Sequence, residues 1–151
     1  MIMKRIGIFV FYDKDGIVDD YIPYLLDDLA KNFQELLIVC NGKITEEGKN
    51  KLYQYTPNIL IRENAGFDIG GYKEGIEFLG WPRLAEFDEL VLLNDTIMGP
   101  VYPFFEMFTT MEEKEVDFWG ITRHYRVNEN PYNCECGYLP EHIQSYFMAF
   151  R

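Results

Sequence analysis

The strongest constraint on the fold comes from two stretches, RIGIFVFY (5–12) and LLIVC (36–40), that stay hydrophobic without alternating apolar and polar residues. A strand with one wet face alternates, whereas a strand covered on both faces does not. NILIRE (58–63), ELVLLN (89–94) and DFWGIT (117–122) repeat the pattern, and HIQSYFMAFR (142–151) reads as a last strand. Helical periods lie between these runs. Asp19 is placed to cap a helix with Ile22, Leu25, Leu26, Leu29 and Phe33 on its apolar face. Thr45, with Glu47 and Gly48, starts a shorter helix reaching about Tyr55, before Pro57. Asp68 opens a third, with Ile69, Tyr72, Ile76 and Leu79, and a fourth starts near Pro103 as FFEMFTTMEEKE. This order predicts an α/β fold, a mostly parallel central sheet with helices on both faces. Residues 123–140 carry no period and read as a long loop.

A chain of 151 residues fits a single domain, 1–151, and its 48% hydrophobic content is that of a globular protein. The last strand reaches the chain end, so the domain is expected to be truncated at its C-terminus. The net charge of −11 argues against nucleic acid as a partner. It leaves room for a phosphorylated small molecule if carboxylates hold a divalent cation. No apolar run approaches the roughly 18 residues of a membrane span. The N-terminal apolar run lacks a small-residue cleavage site. Three cysteines suggest no disulfide framework, and a cytoplasmic location is expected.

Ligands of open α/β sheets bind beyond the carboxyl ends of the strands. Four polar clusters fall there: YDKDG (12–16), NG (41–42), ENAGFD (63–68) and NDTIMGP (94–100). NG reads as a plain turn. In the third cluster Asn64 and Gly66 precede Asp68, and Gly66, Gly70 and Gly71 would let backbone approach a ligand. The spacing is neither a P-loop nor a dinucleotide fingerprint. Asp68 has two readings, acceptor for ribose or sugar hydroxyls or simple helix cap. In the fourth cluster Asn94 and Asp95 end a central strand, where polar groups need partners. The carboxylate and amide oxygens suit a hard cation, and a structural Asx turn is the alternative. Cys134, Cys136, His124 and His142 make a formal zinc ligand set, but C-x-C is tighter than usual zinc spacing. Trp81 and Trp119 are expected to pack, with Trp119 alternatively facing a sugar ring.

Taken together, RENAGFDIGGYKEG, FDELVLLNDTIMGP, DFWGITRHYRV and GYLPEHIQSYFMAFR resemble the rhamnan synthesis F family, in order from Arg62 to Arg151. These are glycosyltransferases of bacterial surface polysaccharide assembly. The resemblance implies a GT-A-like, Rossmann-like nucleotide-sugar-binding fold. It implies a nucleotide-diphosphate sugar donor, commonly dTDP-L-rhamnose, and a growing lipid-linked glycan acceptor. Peripheral association with the inner face of the cell membrane would follow. GT-A enzymes usually hold Mg²⁺ or Mn²⁺ on Asp-x-Asp after the fourth strand. Asn94-Asp95-Thr96 stands there, so Asp95 alone carries the metal role.

On the donor side Tyr12 and Asp13 are placed to meet base and ribose, with Phe11 read as core. Arg62 would approach the diphosphate or pair with Glu63 or another acid. Arg123, His124 and Arg126 form the strongest positive cluster and would clamp diphosphate or acceptor. Glu141 is the nearby substitute for a catalytic base that inverting members commonly place beyond the last sheet strand. A non-catalytic nucleotide-sugar-binding or partner domain is the alternative. A receiver-like domain is disfavoured because no Asp ends LLIVC.

Overall fold

The computed structural model describes residues 3–130 and 132–151. Strands β1 (Arg5–Phe11), β2 (Glu35–Asn41), β3 (Ile59–Arg62) and β4 (Glu89–Asn94) alternate with helices. The helices are α1 (Tyr21–Leu29), α2 (Glu46–Leu52), α3 (Phe67–Leu79) and the short α4 (Trp81–Leu84). α5 (Phe104–Glu112), β5 (Phe118–Gly120), β6 (Arg123–His124), β7 (His142–Ile143) and β8 (Phe147–Phe150) follow. The sheet order is β3-β2-β1-β4-β8-β5. β1 to β4 pair in parallel, and β8 runs against both β4 and β5.

Both sheet faces are covered, as the unbroken hydrophobic runs predict. Phe9, Phe11, Ile38, Cys40, Val91 and Leu93 point to one side, where α1, Leu52 of α2 and Phe104 and Phe108 of α5 pack. Ile8, Val10, Leu37, Val39 and Leu92 point to the other and meet Tyr72, Ile76 and Leu79 of α3. α3 lies close to the sheet because two of its residues lack side chains. A Cβ at Gly71 would fall 2.9 Å from a Val10 methyl, and one at Gly75 would fall 2.9 Å from an Ile8 methyl. Gly71, expected to make room for a ligand, makes room for the sheet.

Several local expectations change. Asp20, not Asp19, occupies the cap position of α1, and its side chain makes no capping bond. Thr45 caps α2 as expected, its Oγ1 accepting from the Gly48 N–H at 3.0 Å. Gly66, in the left-handed conformation, precedes α3, so Asp68 lies in the first turn and is no cap. Phe33 leaves α1 and packs edge-on against Phe108, ring centroids 5.9 Å apart. The final strand is shorter than 142–151: His142 and Ile143 pair instead with β6 in a separate two-stranded ribbon. A further bridge, Val127 to Leu139, extends that ribbon into what read as a loop.

At the amino end of β4 the sheet encloses a charge. Glu89 is 1% exposed. One carboxylate oxygen takes Arg5 Nε at 2.7 Å; the other takes Trp119 Nε1 at 2.8 Å and Arg151 Nε at 2.9 Å. Arg5 also reaches Glu112 of α5 at 2.8 Å and lies 4.5 Å above the Phe108 ring. Trp119 is thus buried and bonded inward, away from any sugar, whereas Trp81, expected to pack, is largely exposed. Removing one member of such a set strands the others without partners. Glu89→Ala is therefore expected to lose about 3–5 kcal/mol of unfolding free energy, read by urea denaturation.

Candidate functional site

The carboxyl ends of β1 and β4 are neighbours in the sheet, and the chain leaves both at the same edge. Asp95 begins the turn after β4, with its N–H donating to Val10 O at 3.1 Å and its Oδ2 accepting from the Tyr12 N–H at 3.1 Å. Asn94, 3% exposed, uses both its amide oxygen and its amide nitrogen. Its Oδ1 accepts from Thr96 N at 3.1 Å and Thr96 Oγ1 at 2.5 Å, and its Nδ2 donates to Asp68 Oδ2 at 2.8 Å. Of the two sequence readings of NDT, the Asx turn is the one realised, and it takes up Asn94 Oδ1. The same amide ties the β4 turn to the first turn of α3.

The electrostatics record this convergence. Burial pushes Asp95 up to about 6 from an ordinary 3.8, and the neighbouring charges of Asp68 and Asp13 add to the shift. Tyr72, beneath them in α3, is raised by burial and then by Asp68 and Asp95. Its hydroxyl donates to Ser145 O at 2.8 Å, just before β8. Asp13 behaves differently. Its Oδ1 accepts from Ile17 N at 2.8 Å and Asp15 N at 2.9 Å, and the Ile17 bond leads the causes that hold it below the usual carboxylate range. Tyr12, beside it, has a half-exposed ring.

A second buried set shapes the turn between β3 and α3. Arg62 points inward, donating from Nη1 to Asn41 Oδ1 at 2.5 Å and from Nη2 to Ala65 O at 2.8 Å and Glu74 Oε1 at 2.6 Å. Glu74, not Glu63, is its ion-pair partner. Asn41, which read as a turn residue, is buried and donates from Nδ2 to Phe67 O at 3.1 Å. Only Gly42, at φ 97°, does the turning. Asn64 stands beside Gly42, half-buried, and its Oδ1 has no partner among the described residues. A Cβ at Gly70 would sit 2.1 Å from Ala65 O, so that glycine lets the turn close.

The remaining candidates lie on the β6–β7 ribbon and bond among themselves. Arg123 pairs with Glu141 at 3.0 Å and lies 5.0 Å above the Tyr125 ring. His124 stacks on its cross-strand partner His142, with centroids 5.1 Å apart, and the Nδ1 of each lies 2.8 Å from a backbone carbonyl. Arg126 covers Tyr138 at 3.9 Å. Cys136 bonds to Tyr138 O, and no three His, Cys, Asp or Glu side chains are grouped to hold a metal among the described residues, so the Cys₂His₂ set does not form.

Two cavities lie close to the acidic set without including Asp68 or Asp95. One, about 470 Å³ and mostly apolar, is bounded by Ile97, Met98, Phe104, Met107, Met111 and Ile121. Another, about 350 Å³, opens between Tyr72, Ile76, Trp81, Leu92 and Met148. No helix among the described residues is long and apolar enough to cross a membrane.

The model of a protein family described as rhamnan synthesis protein F matches residues 36–151, which include Asn41, Arg62, Asp68, Asn94 and Asp95. The chain belongs to the rhamnan synthesis protein F family. Relatives of this rhamnan synthesis F chain include Uncharacterized protein y4gN of Sinorhizobium fredii (strain NBRC 101917 / NGR234). It is 28% identical over 144 residues, covering 95% of this chain and 35% of the relative. Virulence protein VirA of Vibrio anguillarum (strain ATCC 68554 / 775) is 25% identical over 149 residues, covering 97% of this chain and 43% of the relative. The chain thus spans less than half the length of these curated relatives. No solved structure matches it.

The raised Asp95 has a measurable consequence in this rhamnan synthesis F protein. Because its folded value of about 6 exceeds 3.8, the folded chain holds a proton that the unfolded chain releases between those limits. Stability from this group is complete below about pH 4 and lost as pH rises through about 6. Asp95→Asn should match wild type in urea denaturation near pH 4 and exceed it by roughly 1–3 kcal/mol near pH 7.5.

Proposed function

We propose that this chain carries the donor site of a glycosyltransferase that builds a rhamnan-type bacterial surface polysaccharide. The fold would be GT-A-like and the donor a nucleotide-diphosphate sugar, dTDP-L-rhamnose first among them. The acceptor would be a lipid-linked glycan met at the inner face of the cell membrane. The observation that carries this reading is the Asn94 amide, which binds Asp68 to the Asp95 turn at the carboxyl edge of a parallel sheet. Family membership supports the polysaccharide context.

Each group has a job in this scheme. Tyr12 and Asp13, after β1, meet the nucleoside. Asp68 keeps Oδ1 for a donor hydroxyl while Asn94 holds Oδ2. Asp95 has one oxygen on the Tyr12 N–H and one to give to Mg²⁺ or Mn²⁺. An all-oxygen set of one or two carboxylates suits Mg²⁺, whose remaining places go to water and substrate phosphates. The cation would offset the charge gained by the departing nucleoside diphosphate. Arg62 serves by holding the β3–α3 turn, because its guanidinium is committed inside.

A second reading, a nucleotide-sugar-binding domain without turnover, is favoured by one feature. Glu141, the base candidate, is tied to Arg123. Calorimetric titration with dTDP-rhamnose, UDP-glucose and bare nucleotides, with and without Mn²⁺, tests both readings. Sugar-nucleotide binding strengthened by Mn²⁺ is expected, with Asp95→Asn abolishing the metal effect. Asp68→Ala should weaken sugar-nucleotide binding by about tenfold. Binding without turnover selects the second reading, and no binding at all sinks both.

A further inference from the structure

Phe67 is an improbable residue for its place. Gly66 and Phe67 both open α3 at positive φ, 75° and 52°. Gly66 adopts this at no steric cost, but a bulky side chain there crowds its own backbone. Asn, Asp or Gly would relieve it. Packing does not explain the choice either, because the ring is 76% exposed and belongs to neither core.

The backbone is nevertheless held firmly. Buried Asn41 donates to Phe67 O at 3.1 Å, and buried Arg62 fixes Ala65 O at 2.8 Å. The turn closes with Gly70 N–H on Gly66 O at 2.9 Å. Two buried polar side chains from two strands thus impose a conformation that disfavours Phe, and the ring is presented to solvent. The very next residue is Asp68, tethered through Asn94 to Asp95. An exposed aromatic ring one residue before a carboxylate with a free oxygen offers a saccharide two kinds of contact, an apolar face for its C–H side and an acceptor for its hydroxyls.

We propose that Phe67 is the platform on which the donor's sugar ring rests, its C–H face against the phenyl ring and a hydroxyl on Asp68. This deepens the transferase reading and depends on it. It sets Phe67 apart from a structural residue in one measurable way. Replacing a structural aromatic lowers stability, whereas Phe67→Gly removes a strained conformation and an exposed apolar ring together.

The test compares wild type, Phe67→Gly and Phe67→Tyr by thermal unfolding and by titration with dTDP-rhamnose and with dTDP, both with Mn²⁺. Phe67→Gly should unfold at an equal or higher temperature. It should bind dTDP-rhamnose about tenfold more weakly and dTDP within about twofold of wild type. Phe67→Tyr, which keeps the face, should bind both as wild type does. A lower unfolding temperature in Phe67→Gly, an equal loss for dTDP and dTDP-rhamnose, or no loss for either overturns the platform alone. Wild type binding neither compound overturns the platform together with the transferase reading.

Discussion

Glu89 and Asp95 lie at opposite ends of one short strand, and their treatment by the fold is opposite. At the entry to β4 the carboxylate is closed off from water and saturated by Arg5, Arg151 and the Trp119 indole. A charge in such surroundings is tolerable only with all partners in place, so the set fixes its members against one another. Through it β1, β4, β5, the end of β8 and, by way of Glu112, α5 share one anchor. At the exit the strand delivers Asn94 and Asp95 from a position already fixed by that anchor. The acidic set remains partly wet, with oxygens to spare, and is held in place by the Asn94 amide and the Tyr12 N–H.

The turn between β3 and α3 follows the same logic. Arg62, through both Nη groups, and Asn41 bond to backbone and neighbours, and Asp68 keeps a single tie, to Asn94. Rigid polar groups stand behind and sparsely bonded carboxylates in front, an arrangement suited to a preorganised site. The glycines of this stretch divide accordingly. Gly71 and Gly75 press the helix on the sheet, Gly70 lets the turn close, and Gly66 takes the left-handed bend.

Sequence made the layered architecture legible because burial on both faces leaves a direct mark, the loss of alternation in RIGIFVF and LLIVC. It also placed Asn94, Asp95 and Asp68 at one edge of the sheet, since strand ends can be read from where apolar runs stop. Partnerships were not legible. Nothing local distinguishes Asn41 in a turn-like NG from a buried bridge, or Arg62 on a surface from Arg62 beneath one. Those differences come from Glu74 and Phe67, which reach them only through the packing of α3. Glu89 was passed over because a single acid at a strand start normally faces water; its partners come from residues 5, 119 and 151. The β6–β7 ribbon was missed because its pairs are two residues long and joined across a wide span.

The reversed direction of β8 has an architectural result. A strand parallel to β4 would begin at the anchored end, but β8 begins at the acidic edge. There Ser145 O receives the Tyr72 hydroxyl and Tyr146 O receives the Asn94 N–H. The β6–β7 ribbon is thus spliced into the rim between β5, which ends at that edge, and β8, which starts there. None of the six-stranded sheet's pairs comes from this ribbon, so it forms a collar on the rim, outside the main ladder.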